Sequence, residues 1–461
     1  MDDEAEVVTT EALTEVAPQS ASSTSLPPHP SSIGAARRFV RGALLAAGRD
    51  ELADDAELAV SEVVTNAVVH AGTRIEVNVV LGPVLVRVEV EDGSPHQPRA
   101  RRYATTASTG RGLSLLNDTA ADWGVTPTSR GKAVWFELAP SLSWQHDGAG
   151  SDHEEVAGAA RKRGGHDGVR IVLLKAPVLL YDAWRQHAEA LLREHLLATL
   201  DDGDPEDAVK VHAEASDALA LLDEAMPVPP PTDTPADALA VALSPEVASP
   251  RIDLLVPNAS RRHFITLDRT LEDALERAEA GTFLTPAVQP ELRELRRWLC
   301  DQVTAQCLGA EPVPWAPREA TTSASVDAAL GRLVGWDTAP ITGSDRALLA
   351  VDDGGLIVAA SRAAHVLLAN DDPRATLEDL PGKRLVALIP HRFREAHLAG
   401  FTMHLLTGNG AMLDTPVVVP VLCHDGTERS VQLTVHEEHV AADGRPIFVA
   451  ELETVPSPVP E

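Results

Sequence analysis

The sequence predicts an α+β protein built from several domains, on three observations. Its 461 residues exceed the ~100 to 200 residues of a typical domain. Hydrophobic residues make up 44% of the chain and charged residues 23%, a composition that can bury real cores. Segments with helical and with strand-like apolar spacing fall into an N-terminal, a mostly helical middle and a C-terminal part.

The charge balance bounds the kinds of partner. The 39 basic residues face 69 acidic ones, which gives a formal net charge of −30. Such a chain repels a phosphate backbone, so no direct nucleic-acid partner is expected. No apolar run approaches the ~18 residues that span a bilayer, and the N-terminus lacks the apolar segment of a secretory signal. We therefore expect a cytoplasmic protein without a membrane partner.

The N-terminal part begins with residues 1–30, which are rich in Ser, Thr, Pro and Glu and predict a disordered acidic tail. A first domain is predicted for residues 31–140. Helical spacing starts at Ser31, and a second helix runs from about Asp54 to His70.

A change of pattern follows that second helix. Alternating β-branched residues on both sides of Gly82 and Pro83 predict a hairpin. A segment rich in Arg, Ser and Thr, a short helix from Gly112 and a strand from Ala133 complete the domain. This order predicts a sandwich with helices on one face of a mixed sheet.

The middle part is predicted as a linker over 141–168 and a mostly helical domain over 169–320. Its helices are expected at 177–200, 205–225, 260–280 and 286–308. The stretches Arg170-IVLLKAP and Arg251-IDLLVP resemble each other, either by duplication or by coincidence. We can attach no chemistry to this part.

After a second linker over 321–343, the C-terminal domain is predicted for residues 344–455. It opens with a hairpin around a Gly-rich turn, followed by a helix from Ser361. A second helix from His391 to Leu406 and three strands near 412–422, 427–437 and 446–453 complete it.

Candidate site residues are concentrated in the first domain. Glu62 and Asn66 lie one turn apart on one face of an otherwise apolar helix. A solvated stripe is the simplest explanation, but such a stripe usually includes Lys or Arg, and none occurs between Glu51 and Thr73.

Two further motifs follow in order along the chain. Asp92 ends a strand before Gly93 and Ser94, and later Gly110, Arg111 and Gly112 precede a helix. Glycine lets the backbone approach a phosphate, and a helix N-terminus directs N–H groups at it. The second motif is therefore compatible with phosphate binding, but a GxG by itself is a weak signal, and a turn alone would explain the first motif.

In order and spacing, these motifs over about residues 33–139 resemble the GHKL ATPase superfamily, and within it the anti-sigma-factor serine kinases. The resemblance implies ATP and Mg²⁺ as cofactors. It implies Glu62 as general base, Asn66 as Mg²⁺ ligand and Asp92 as the residue that binds the adenine amino group. The remaining nucleotide contacts that it implies are Ser94, Gly110, Arg111 and Gly112.

The sequence departs from that superfamily at two places. Ser94 stands where the pattern has Gly, and the hydroxyl residue often found after the Gly of the last strand is absent, since Gly131 is followed by Lys132 and Ala133. Two alternatives stay open: an active kinase, or a docking module that transfers no phosphate.

Residues 344–454 resemble a PAS sensor domain, whose fold alone names no ligand. A flavin adduct would need a reactive Cys on a helix, and Cys423 lies in a predicted strand. In haem-binding PAS domains a His of the long helix binds iron, and His397 falls near that place. The Arg expected near Val417 is missing, so haem is the less favoured alternative.

Together these resemblances predict a signalling regulator in which a PAS domain controls a serine kinase-like domain. They imply a sigma factor and a STAS-type anti-anti-sigma protein as partners, with a homodimer as a further arrangement. The alternatives are a non-catalytic regulator with a degenerate ATP site, and a sensor of haem or a metabolite.

Overall fold

The computed structural model describes residues 20–83, 85–94, 116, 119–139, 168–202, 204–230, 240–241, 251–286, 289–317, 336–369, 380–408, 413–440 and 445–455. The chain forms two compact units. The first comprises Met1–Asp167 with Leu196–Ala220, and the second Gly168–His195 with Leu221–Glu461. Both combine helices with sheets, which confirms the predicted α+β class.

The first unit contains a five-stranded sheet in the order β1-β2-β3-β5-β4. Its strands are β1 (Ser20–Leu26), β2 (Ile75–Leu81), β3 (Val86–Asp92), β4 (Asp122–Pro127) and β5 (Lys132–Leu138). All four pairings are antiparallel, so the prediction of a mixed sheet is wrong for the described strands. The predicted hairpin is β2 and β3, closed where the Gly82 N–H donates to the Leu85 carbonyl.

Two helices cover this sheet: α1 (Ser31–Ala46) and α2 (Ala53–Asn66). A 3₁₀ turn (Asp50–Leu52) precedes α2, and a π-helical turn (Ala67–Ala71) follows it. In β2 and β3 every second side chain is buried, and these residues pack with the apolar faces of both helices. The core includes Ala36, Val40, Leu44, Ala56, Val60, Val63, Val64, Ile75, Val77, Val88, Val90 and Phe136.

Two of these strands differ from the sequence predictions. The sequence predicts residues 20–26 to be part of the disordered tail, yet they form β1, which pairs with β2 from Ser20↔Leu81 to Leu26↔Ile75. Their small polar side chains carry almost no periodic apolar signal, because β1 is an edge strand held mainly by backbone hydrogen bonds. The apolar pattern does not predict the edge strand β4 either, because half of its residues are exposed.

Residues 196–220 also belong to the first unit, although the sequence placed them in the middle part. They come from the helices α3 (Val178–Asp202) and α4 (Pro205–Ala225). Leu196 and Val209 lie in the same core as α2. Gly72 ends the π turn with φ +56°, and a Cβ there would lie 2.3 Å from the Ala213 Cβ, so glycine is required at this contact.

The second unit contains a two-stranded sheet of β6 (Gly168–Leu174) and β7 (Arg251–Pro257). These are the two similar stretches of the sequence, and they pair with each other in antiparallel register, Arg170 opposite Leu255. The helices α5 (Arg261–Glu279) and α6 (Pro290–Gln306) follow and pack together. The Gln306 amide joins α6 to β6 through hydrogen bonds of 2.9 Å to both Val172 N and Val172 O.

A five-stranded antiparallel sheet forms the C-terminal part of this unit, in the order β10-β11-β12-β8-β9. Its strands are β8 (Leu348–Asp352), β9 (Ile357–Ala360), β10 (Val417–Leu422), β11 (Glu428–His439) and β12 (Pro446–Thr454). Three helices accompany it: α7 (Ala339–Thr342), α8 (Arg362–Leu368) and α9 (His391–Thr407). Ser361 caps α8 by accepting the Ala364 N–H. The predicted hairpin, two longer helices and three strands are all found.

Two polar contacts join this C-terminal part to the middle helices. Arg384 pairs with Glu291 of α6 at 2.7 Å, and both side chains are buried. Glu395 of α9 accepts the Leu179 N–H at 2.9 Å, so its carboxylate lies at the first turn of α3. The two parts therefore pack directly within one unit.

The contact of Glu395 leads to a pH prediction. Burial raises the pKa of Glu395 from 4.5 to about 7, although the N–H groups of Leu179 and Leu180 lower it. Because the folded pKa exceeds the unfolded one, this group's stabilisation is complete below about pH 4.5 and is lost as pH rises through about 7. Glu395→Gln keeps the acceptor oxygen without a charge. The variant should therefore lose less stability than the wild type between pH 5 and 8, by at most about 3 kcal/mol.

Urea unfolding followed by tryptophan fluorescence at several pH values measures this difference. Glu311→Gln, at an exposed carboxylate of the same unit, is the control and should keep the wild-type pH dependence. Equal slopes for Glu395→Gln and the wild type would contradict the prediction.

Candidate functional site

The helix α2 presents two polar side chains beside its buried face. The helix packs against β3 and β5, and Val60, Val63 and Val64 are buried there. Glu62 and Asn66, one turn apart, are half-buried. The predicted common face of these two residues follows from helical geometry.

The two hydroxyl side chains next to them bond to the helix itself. The Ser61 hydroxyl donates to the Glu57 carbonyl at 2.5 Å, and the Thr65 hydroxyl donates to the Ser61 carbonyl at 2.7 Å. Glu62 and Asn66 make no side-chain hydrogen bond or ion pair to any residue in the described ranges. Glu62 and Asn66 are therefore available to a ligand on this face of the helix. Their carboxylate and amide oxygens suit a hard cation, and the carboxylate can also accept a proton.

Asp92 lies at the end of β3 and is 4% exposed. Its Oδ1 accepts the Ser94 backbone N–H at 2.8 Å and the Lys132 ammonium at 3.1 Å. Burial is the largest effect and raises the pKa of Asp92, while Lys132 and the Ser94 N–H oppose it in part. The carboxylate is thus held in a fixed orientation by its two donors.

A hydrogen bond brings the end of α2 and the end of β3 together. Thr73 follows the π turn and Gly72, and its hydroxyl accepts the Gly93 N–H at 2.7 Å. A Cβ at Gly93 would lie 2.9 Å from that hydroxyl oxygen, and a Cβ at Gly131 would lie 2.2 Å from the Asp92 carbonyl oxygen. Both glycines are needed for this close approach, which places the Asp92 turn beside the chain that leaves α2.

Lys132 is a site residue that the sequence reasoning missed. It begins β5 directly opposite Asp92 in the sheet and is 8% exposed. In the sequence, the only indication was that Lys132 and Ala133 follow Gly131, where the family pattern often has a hydroxyl residue. The ion pair itself left no local pattern, because Lys132 and Asp92 are 40 positions apart.

The turn before Lys132 is anchored to the sheet. The Arg130 guanidinium donates to both oxygens of Glu76 at 2.9 and 2.8 Å and to Glu91 at 3.2 Å. The Thr128 hydroxyl donates to Glu91 at 2.8 Å and accepts the Gly131 N–H at 3.1 Å. This network fixes where β5 begins, and hence the position of Lys132.

The predicted phosphate-binding residues Gly110, Arg111 and Gly112, and the short helix after them, lie outside the described residues. Of the other candidate residues, the structure places Glu62 and Asn66 one turn apart on α2, and it brings Asp92, Ser94 and Lys132 together where β3 ends and β5 begins.

His397, the candidate haem ligand, lies on α9 in the second unit. It is half-buried, and its ring stacks on Phe401 with a centroid distance of 6.0 Å. Burial and the nearby Arg384 charge lower the pKa of His397 to about 4. Its imidazole is therefore neutral at physiological pH, as metal binding requires, but no described residue near it distinguishes haem from ordinary packing.

Comparison with known proteins found one family match, in the N-terminal part of the chain. Residues 26–138 match the family model of the histidine kinase-like ATPase domain. This match includes Glu62, Asn66, Asp92 and Lys132, and it supports the GHKL superfamily for this part of the chain. Such a domain implies ATP binding, typically with Mg²⁺.

The other comparisons add little. The PAS domain of an HTR-like protein from Haloarcula marismortui is similar at 15% identity over 28% of this chain and 94% of that chain, with a TM-score of 0.18. A TM-score of this size carries no argument about the fold. No curated protein matches the chain. None of the described helices is both long and apolar enough to cross a membrane.

Proposed function

We propose that the protein is a signalling regulator whose N-terminal domain binds ATP with Mg²⁺ and acts as an anti-sigma-factor type of serine kinase. One observation carries the proposal. Within the ATPase-like region, Glu62 and Asn66 lack partners in the described part of the chain, whereas the neighbouring hydroxyls bond to their own helix. This leaves a carboxylate and an amide on one face of α2 available to a ligand.

The residues present fit the nucleotide and the metal. Asn66 would hold Mg²⁺ through its amide oxygen, and the metal would supply charge stabilisation at the phosphates. Asp92 would accept from the adenine amino group, and Ser94 holds the Asp92 carboxylate in place through its backbone N–H. Gly110, Arg111 and Gly112 would line the phosphates.

The proposed reaction is phosphate transfer to a serine of a partner protein. Glu62 would take the proton of the attacking serine hydroxyl. The oxygen of that hydroxyl would bond to the γ-phosphorus, while the bond from this phosphorus to the ADP oxygen breaks. The partner class is a STAS-type anti-anti-sigma protein, with a sigma factor as the second ligand. A homodimer is part of this proposal.

The C-terminal part would be a PAS sensor that controls the kinase. The order of its elements supports this: a hairpin comes first, then helices, then three strands, as the resemblance implied. The fold alone names no ligand for such a sensor, and haem at His397 is the less favoured of the alternatives.

A second candidate function is a docking module, with or without nucleotide, that transfers no phosphate. The observation in its favour is at the start of β5. The hydroxyl residue of the family pattern is absent there, and Lys132 instead forms a buried ion pair with Asp92. The two candidates differ in whether a partner becomes phosphorylated.

The test incubates the full chain with Mg-ATP and candidate STAS proteins from the same genome. We expect ATP binding that depends on Mg²⁺ and phosphate on a partner serine. Asn66→Ala should weaken Mg-ATP binding about tenfold or more, because a metal ligand is lost, and it should reduce the dependence on Mg²⁺.

Asp55→Asn, at an exposed carboxylate of the same helix, should bind as the wild type does. Nucleotide binding without phosphorylation of any STAS protein would favour the docking module. An absence of nucleotide binding would refute the kinase and would remove ATP and Mg²⁺ from the docking module.

A further inference from the structure

Two buried charged side chains lie side by side where β3 ends and β5 begins. Lys132 Nζ is 3.1 Å from Asp92 Oδ1, with 10% and 4% of the two side chains exposed. Removing such a pair from water is unfavourable unless its remaining donors and acceptors are also satisfied. The hydrogen-bonding capacity of the pair is therefore informative.

Part of that capacity is unused. A lysine ammonium has three N–H donors, and the Lys132 ammonium donates to Asp92 Oδ1, which also accepts the Ser94 N–H. No described residue supplies an acceptor for its other donors or a donor for Asp92 Oδ2. Asp92 Oδ2 and the remaining N–H donors of the Lys132 ammonium thus lie on neighbouring, little-exposed residues and have no hydrogen-bond partner in the described part of the chain.

We infer that Lys132 is a base-specificity residue that donates to ring nitrogen N1 of adenine while Asp92 Oδ2 accepts from the adenine amino group. This inference rests on the proposed function, because it takes ATP as the ligand of this domain. It adds a second contact to the single one that the family resemblance implied.

The chemistry of the base fits the pair. The Watson–Crick edge of adenine presents the amino donor beside the N1 acceptor, the complement of a carboxylate beside an ammonium. Guanine presents an acceptor and a donor in the reverse order, so the same fixed pair would oppose it group by group. A site that hydrogen-bonds a ligand atom rejects analogues lacking that atom, because its own polar group is then left unpaired.

The anchored turn makes this arrangement rigid. Arg130 and Thr128 tie the start of β5 to Glu91 and Glu76, and Gly131 packs against the Asp92 carbonyl oxygen. The backbone at Lys132 is thus held by the sheet and its ammonium by Asp92, which suits a specificity contact.

The experiment measures binding of three Mg²⁺-nucleotides to the full chain by calorimetry: ATP, 1-deaza-ATP and 7-deaza-ATP. The first analogue lacks the N1 acceptor, and the second lacks a nitrogen on the opposite side of the base. We expect 1-deaza-ATP to bind about tenfold or more weakly than ATP, since a hydrogen bond to a charged group is lost. The affinity for 7-deaza-ATP should equal that for ATP.

Variants complete the test. Lys132→Met should lower the affinity for ATP and abolish the difference between ATP and 1-deaza-ATP. Lys210→Met, at an exposed lysine of the same unit, should keep that difference. The comparison of nucleotides on the wild type needs no variant, so it decides the question even if Lys132→Met fails to fold.

Equal binding of ATP and 1-deaza-ATP by the wild type would overturn the inference and make Lys132 a structural partner of Asp92. Tighter ATP binding by Lys132→Met would also overturn it, since Lys132 would then compete with the base. Failure of the wild type to bind ATP would refute the proposed function itself.

Discussion

Glu62→Gln is expected to lower the rate of phosphate transfer to a STAS partner by about two to four orders of magnitude while leaving ATP affinity nearly unchanged. The amide keeps the size and acceptor oxygen of the side chain but cannot take a proton, and general-base catalysis contributes about this much. Glu62 makes no hydrogen bond with any residue in the described ranges, so the substitution disturbs no internal contact that the structure describes.

Two measurements check this prediction: single-turnover transfer with labelled ATP, and calorimetric binding of Mg-ATP. A loss of rate without a loss of binding separates a base from a binding residue. Asp55→Asn on the exposed face of α2 is the matched control and should transfer phosphate at the wild-type rate. Transfer by Glu62→Gln at the wild-type rate would show that Glu62 is not the base.

Arg384→Met is expected to destabilise the second unit by about 3–5 kcal/mol. Arg384 and Glu291 form an ion pair of 2.7 Å, with 9% and 7% of their side chains exposed. Removing one partner leaves the other as an uncompensated buried charge, which costs about this much. The loss of stability has two causes: Glu291 is left as an unpaired buried charge, and α6 loses this contact with the C-terminal part.

The double variant Arg384→Met/Glu291→Leu should regain most of the lost stability, since replacing both partners by apolar groups removes the unpaired charge. The control is the exposed pair of Arg392 and Glu428, at 47% and 39% exposure. Arg392→Met should leave the urea midpoint nearly unchanged, because exposed pairs are weak. If the double variant is as unstable as Arg384→Met, the pair does not stabilise by compensating charge.

Local patterns predicted most of the regular structure. The hairpin of β2 and β3, the helices α3 to α6 and the strands of the C-terminal sheet all have clear apolar periodicity, and each is found within a few residues of its expected bounds. Helical spacing also placed Glu62 and Asn66 on one face, because that relation depends only on four residues of one helix.

Non-local contacts could not be predicted in this way. The edge strand β1 consists of small polar residues, and only its pairing with β2, about 50 positions later, makes it a strand. Likewise, the sequence placed residues 196–220 in the middle part, whereas Leu196 and Val209 lie in the core of the first unit.

The sequence by itself predicted the ATPase-like class of the N-terminal part, which the family match over residues 26–138 supports, and the candidate residues on α2, since motif order and helical period are local properties of the chain. Only the tertiary structure decided that Lys132 pairs with Asp92, that Thr73 joins the two ends of the site, and that Glu291 meets Arg384. The physical reason is that these ion pairs and turn contacts join residues that only the folded sheet brings close together. Closeness in space between residues far apart in the sequence leaves no periodic pattern in the sequence.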